Sequence, residues 1–265
     1  MRSRQTVFTP SLYIQNEGED STKTALSLTR AKTRCLVRLT GGCGLMSQSD
    51  AENLYDLFVG AFAGFDGAML FGGTRMVNKD DVTVIIPGIT EIPPLIKKNC
   101  WDAVILGVIP KTSDIDLSPK YGMIVSKEAD NSYITVVHPE QDMCLIIQGS
   151  VDRCVCWDTE FEECIKITEK LRQFADWDSL LVSYNGGGTT EKEIVKTAAL
   201  GWPVLLIDGS GRKTEEYANN TDFLRKYPNV SVVEKDVFAL RRKLTELGVL
   251  PRGNLVLVER SKKVA

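Results

Sequence analysis

Apolar residues follow two rhythms along this chain. Short continuous apolar runs occur at residues 68–71, 103–109, 144–147, 180–182 and 204–207, and residues 230–233 read as a last strand. Residues 35–39 form a first candidate core strand ahead of them. Runs of this length, bounded by turn residues, predict strands covered on both faces of a parallel sheet. Between the runs the period lengthens to that of an amphipathic helix. Leu54, Leu57, Phe58, Ala61 and Phe62 form one stripe, and Phe161, Cys164, Ile165, Thr168, Leu171 and Phe174 a second. Val237, Leu240, Leu244 and Leu247 form a third, with Asp236 before it as cap and Gly248 after it as stop. Ser49 with Glu52, Thr159 with Glu162, and Thr190 with Glu193 each have capping-box spacing, while Gly201 and Pro203 mark a helix end. Residues 93–99 read as a short helix and 82–87 as a further extended segment. Residues 1–30 are polar and irregular, an arm with an edge strand at 11–14. Residues 111–142 are the least regular stretch, an inserted loop or small hairpin.

Strands alternating with helices at this spacing imply βαβ units. The expectation is an α/β, Rossmann-like domain over residues 31–265, its mostly parallel sheet flanked by helices on both faces. Glycine turns follow several of the strands: Gly41-Gly42-Cys43-Gly44, Gly72-Gly73-Thr74-Arg75, Gly186-Gly187-Gly188-Thr189-Thr190 and Asp208-Gly209-Ser210-Gly211-Arg212. Open α/β sheets bind ligands at the carboxyl ends of their strands. Glycine there lets a ligand approach the backbone amides, and helix starts favour phosphate or carboxylate. Two familiar phosphate motifs fail. Ser47 stands where G-x-G-x-x-G needs its third glycine, and Ile207 and Arg212 occupy the glycine positions of a P-loop.

Composition narrows the function classes. With 265 residues, 43% apolar and 25% charged, the chain resembles ordinary globular proteins. A net charge of −3 argues against a general grip on nucleic acid. No run approaches the roughly 18 apolar residues of a membrane span, and the N-terminus lacks a signal-peptide layout. A cytoplasmic protein is expected. The seven cysteines include Cys154-Val155-Cys156 but no CxxC pair, so reduced thiols are the simpler reading than a metal site. No metal and no cofactor is called for. A single histidine, His138, sits before Pro139 in a polar stretch and reads as a surface residue.

The segment Gly186-Gly187-x-x-Thr190-x-x-Glu193, after a strand and opening a helix, resembles the PGGxGTxxE motif of the SLOG superfamily. Asn185 stands at the motif's proline and Thr189 at its third glycine. The downstream strand ending in Asp208-Gly209-Ser210-Gly211-Arg212 is similar to the N-terminal region of melastatin-type TRP channels and their prokaryotic relatives. Gly72-Gly73-Thr74 is similar to their earlier GGT turn. After Gly73 the sequence departs, since Arg75-Met76-Val77 leads into a polar stretch.

The resemblance implies a SLOG-type fold, a homo-oligomer, and a site for an adenine nucleotide or ADP-ribose-type signal. The implied ligand-binding residues are Gly72, Gly73, Thr74, Arg75, Gly186, Gly187, Gly188, Thr189, Thr190, Asp208, Gly209, Ser210, Gly211 and Arg212. Two readings follow. As a sensor, the chain binds a nucleotide-derived small molecule and passes the signal to an effector protein. As a phosphoribohydrolase, it cleaves the base–ribose bond, with Glu193 steadying positive charge on the sugar. Glu193 can equally close a capping box, and Asp208 can cap its own turn. Arg212 can clamp a phosphate, Arg75 less directly, while Thr189 and Thr190 suit helix caps better than catalysis. A single-strand DNA-binding role, a third possibility within the superfamily, conflicts with the acidic charge balance.

Overall fold

The computed structural model describes residues 10–42, 48–111, 116–118, 120, 122–126, 132–149 and 155–251. The chain runs β1 (Ser11–Asn16), α1 (Thr22–Leu28), β2 (Cys35–Gly41), α2 (Gln48–Ala61), β3 (Ala68–Phe71), β4 (Thr74–Asn78) and β5 (Ile85–Ile86). A 3-10 turn (Ile89–Glu91) leads into α3 (Ile92–Asn99) and β6 (Val104–Pro110). Next come β7 (Asp116–Ser118), β8 (Gly122–Ser126), β9 (Tyr133–Val137), β10 (Met143–Gln148) and α4 (Trp157–Ala175). The last part is β11 (Asp178–Tyr184), α5 (Gly188–Ala199), β12 (Val204–Asp208), α6 (Arg212–Ala218), α7 (Thr221–Lys226), β13 (Val230–Glu234) and α8 (Val237–Glu246).

Eight strands form one all-parallel sheet in the order β1-β10-β6-β3-β2-β11-β12-β13. Its six strands from β6 to β13 follow the Rossmann order, with two more on the β6 side. The fold is thus α/β and Rossmann-like. The inner strands are buried on both faces, as their apolar runs require, and β6 is buried at every position, whereas the edge strands β1 and β13 are mostly exposed or half-buried. On one face Phe58 of α2 and Phe62 just after it, Ile92 and Ile96 of α3, and Leu240 and Leu244 of α8 pack on Val37, Leu39 and Val182. On the other, Ala25 and Leu28 of α1 and Cys164, Ile167 and Leu171 of α4 cover Leu36, Leu70 and Leu106. Ile194 and Ala198 of α5 cover Leu181 and Leu206 beside them.

The edge strand expected near residues 11–14 is present, and α1 follows it. Gln15 Nε2 donates to Glu163 Oε1 of α4 at 2.8 Å, which ties this edge to the helix layer. A second, antiparallel sheet has the order β5-β4-β9-β8-β7. The stretch expected to be a loop or small hairpin therefore supplies three of its strands. Its apolar residues alternate, as in Tyr133–Val137, and Ile134, Val136 and Val137 are buried.

Helix starts differ most from expectation. Asp236 Oδ1 accepts from Ala239 N at 2.8 Å and caps α8 as read. By contrast, α4 starts at Trp157 with Cys156 as its cap, so Thr159 lies inside the first turn. Likewise α5 starts at Gly188 with Gly187 at the cap position. Thr190 is then inside the helix, and the expected box between Thr190 and Glu193 is replaced by an ion pair. Ser49 falls within α2, which begins at Gln48. Side-chain spacing alone does not locate a helix start when glycine or cysteine takes the cap.

Candidate functional site

The strand order reverses between β2 and β11. β2 leads leftward to β3 and β6, whereas β11 leads rightward to β12 and β13. Helices diverge there, leaving a crevice above the strand ends. Its floor is the glycine turn after β11. Asn185 has φ +59° and Gly186 φ +89°, a left-handed pair that turns the chain sharply into α5. Gly186 must be glycine, because a Cβ there would lie 2.2 Å from Oγ1 of the buried Thr190. Among the described residues no side chain caps α5, so the amides of its first turn face the crevice without such a partner.

The turn after β12 is clasped to this floor. Asn185 N donates to Ser210 Oγ at 3.0 Å, and Thr214 Oγ1 donates to Asn185 O at 2.6 Å. Thr214 Oγ1 also lies 2.6 Å from Ser183 Oγ, both side chains being fully buried. Asp208 Oδ1 accepts from Gly209 N at 2.9 Å and from Asn219 Nδ2 at 3.2 Å, the turn-capping role. The clasp brings Arg212, at φ +50°, across the crevice. Its Nη2 is 2.9 Å from where a Cβ of Gly187 would stand, and its Nη1 is 3.7 Å from that position on Gly42. Arg212 is exposed, and among the described residues it has no carboxylate partner. Gly186, Gly187, Gly188, Thr190, Ser210, Gly211 and Arg212 are thus brought together. Thr189 is exposed on the first turn of α5. Gly42 joins them from β2; Cys43 and Gly44, from the same glycine turn, lie outside the described residues.

The turn after β3 divides its roles. Gly72 faces the crevice, where a Cβ would meet Thr90 at 3.8 Å and Trp157 at 3.9 Å. Gly73 instead packs against β6, with 2.9 Å from its Cβ position to the Gly107 Cα. Its carbonyl accepts from His138 N at 2.8 Å and from Gln141 Nε2 at 3.3 Å. Thr74 and Arg75 start β4, and Arg75 grips Glu91 through Nε and Nη2 at 3.0 and 2.7 Å. His138 is fully buried rather than at the surface, with Nε2 3.2 Å from Glu91 Oε2. Its Nδ1 accepts from Glu140 N at 3.1 Å, so Nε2 carries the proton. Burial lowers the His138 pKa despite the neighbouring carboxylate. Burial pushes Glu91 upward, but its bonds to His138 and Arg75 prevail and hold it below its ordinary value. This network fastens the small sheet to the end of the large one.

Glu193 lies within a buried cluster one helical turn below the crevice. Arg38 of β2 places Nη2 2.8 Å from Glu193 Oε1 and 2.8 Å from Glu160 Oε1. The three side chains are only 11%, 3% and 3% exposed. Arg38 Nε and Nη1 and Glu193 Oε2 have no hydrogen-bond partner among the described residues. Two carboxylates facing one guanidinium leave an excess negative charge in the interior. Burial pushes Glu160 up to about 7, Arg38 opposing and the Glu193 charge adding to the rise. Cys164 Sγ donates to Glu160 Oε1 at 3.3 Å. The sequence signal for this cluster was Arg38 itself, a charge inside an otherwise apolar strand.

Among the described residues no group of acidic, histidine and cysteine side chains could hold a metal, and no helix is long and apolar enough to cross a membrane. A separate concavity of about 760 Å³ lies between α4 and α5, lined by Phe161, Ile165, Val195 and Tyr217 among others, and includes none of the glycine turns.

No protein-family model matches the chain, and no curated protein does so. Solved structures resemble it distantly. The structural-genomics target TM1055 is 17% identical, over 80% of this chain and 98% of its own, with a TM-score of 0.45. The molybdenum cofactor carrier protein from Chlamydomonas reinhardtii is 13% identical over 80% and 96%, with a TM-score of 0.46. The molybdenum cofactor binding protein from Rippkaea orientalis is 13% identical over 82% and 98%, also at 0.46. At these values the likeness decides neither ligand nor activity.

Proposed function

We propose that this chain binds an adenine nucleotide or ADP-ribose-type ligand in the crevice between β2 and β11, as a sensing module similar to the N-terminal region of melastatin-type TRP channels. One observation carries the reading: the Arg212 guanidinium lies over the start of α5 with no carboxylate partner among the described residues. A phosphate placed there receives first-turn amides from one side and a charged planar fork from the other. The Asn185–Ser210–Thr214 clasp keeps the two donors at fixed separation, so little order need be gained on binding. The resemblance of the two glycine turns to the SLOG pattern supplies the nucleotide. Gly73 and Arg75 support the site through the small sheet, and Asp208 through its turn.

A second reading, cleavage of the base–ribose bond, draws on Glu193, whose Oε2 has no hydrogen-bond partner among the described residues. That carboxylate is 2% exposed and held by Arg38 beneath the helix start, which favours binding over cleavage.

The test is a thermal-shift panel of AMP, ADP, ATP, NAD, ADP-ribose and cyclic ADP-ribose, each sample then chromatographed for free base. A ligand at 100 times its dissociation constant stabilises by about 2.7 kcal/mol, which raises Tm by several degrees. Arg212→Ala should weaken the active ligand by about tenfold or more. Free base released by the native chain and lost in Glu193→Gln would move the assignment to a hydrolase. No shift with any of the six would remove the nucleotide.

A further inference from the structure

We infer that Trp157 is the stacking platform for the planar ring of the ligand, an inference that rests on the phosphate placement proposed above. Trp157 is the first residue of α4 and, despite its size, is 38% exposed. It belongs to none of the buried apolar clusters, and no ring stacks on it among the described residues. Its packing toward the sheet end is toward a gap: Cζ3 lies 3.9 Å from the position a Cβ of Gly72 would take, with Thr90 Cγ2 3.8 Å from the same point. The missing side chain at Gly72 thus leaves a notch with an indole on one wall.

Three adjacent strands set the distance from this notch to the phosphate position. Gly72 follows β3, Gly42 follows β2, and Gly187 follows β11. Two strand spacings, roughly 9 to 10 Å, separate the first from the last. A ribose bridging phosphate and base suits that interval. The start of α4 also lies beside α5, since Lys192 Nζ of the second turn of α5 is 2.7 Å from Asp158 Oδ2, the residue after Trp157. The amides of one helix start and the aromatic face of the other thus belong to neighbouring helices.

Every base has a π-face, and stacking on an aromatic side chain accepts any of them. The chemistry recognised is a phosphate joined through a sugar to a planar heteroaromatic ring, with the larger purine ring preferred over a pyrimidine. Adenine recognition by hydrogen bonds is not required.

The experiment titrates the full chain and its Trp157→Ala and Trp157→Phe variants with AMP, UMP and ribose 5-phosphate, by calorimetry and by tryptophan fluorescence. AMP should quench the native fluorescence more than either variant's. Trp157→Ala should weaken AMP about tenfold or more while leaving ribose 5-phosphate unchanged, and Trp157→Phe should keep most of the affinity. Circular dichroism melting of both variants establishes that they fold. AMP affinity unchanged in Trp157→Ala, or lowered equally with that of ribose 5-phosphate, overturns the platform and leaves the phosphate site standing. Binding of none of the three by the native chain removes the phosphate site and the platform together.

Discussion

Arg38 and Arg212 stand on neighbouring parts of the same sheet end and could hardly differ more. Arg38 is 11% exposed and shared between two carboxylates. Arg212 is exposed, spans two glycine turns and has no carboxylate partner among the described residues. The first is neutralised from within the fold and has nothing left for a ligand's charge. The second, exposed to solvent, is available to a charge from outside. A guanidinium becomes a site when the fold positions it and withholds its counter-ion, and these two regions isolate that condition.

The comparison breaks most severely at Arg38. Arg38→Met leaves Glu160 and Glu193 facing each other in the interior and should cost about 3 to 5 kcal/mol, read by urea unfolding. Arg212→Met, at the surface, should stay within about 0.5 kcal/mol. Next is pH. Glu160 has a folded-state value of about 7 against an ordinary 4.5, so between those values the folded protein holds a proton that the unfolded chain releases. This contribution makes stability fall as pH rises through that window. Glu160→Gln should remove the fall, gaining about 1 to 3 kcal/mol over the native chain as pH goes from 5 to 8. Denaturant midpoints at the two pH values measure it. A flat difference would show that Glu160 is ionised throughout.

Gly186→Ala sharpens the other region, combining a left-handed φ of +89° with a contact of 2.2 Å against Thr190. A loss of about 2 kcal/mol in thermal stability is expected, together with lost ligand binding. The smallest effect has the opposite sign. Arg212→Gly relieves a left-handed arginine at φ +50° and should raise stability by up to about 1 kcal/mol while weakening the ligand about tenfold. A residue that strains the fold and improves binding is the expected signature of a functional position.

Much of this was legible in the sequence. The apolar runs located the strands of the large sheet from β2 onward, because strands buried on both faces show no alternation to confuse with loops. The glycine turns after β11 and β12 were equally plain, and the structure brings most of their residues together. The second sheet was not foreseen: its strands are short, half-buried and interrupted by polar residues such as Asn78 and Lys79. Nor was the division at Gly72-Gly73-Thr74-Arg75, where one glycine faces the crevice and the next packs on β6. Neighbours in sequence point to opposite sides of a turn, and only coordinates separate them. His138 was misplaced for a related reason. A polar stretch reads as surface, yet its imidazole is covered by the sheet that this stretch builds. Trp157 had no signal, since its meaning comes from Gly72, far away in the chain.

The clasped crevice also has a temporal meaning. Thr40 and Thr190, whose hydroxyls meet at 3.4 Å beneath it, are 150 residues apart in sequence. A ribosome adding 5 to 20 residues per second needs on the order of ten seconds to supply the second after the first. During that interval β2 lacks its central partner β11, and the edge that will line the crevice is open to wrong pairings. The proposed ligand therefore cannot guide the early nascent chain; its binding would become possible only after the sheet's middle seam has closed.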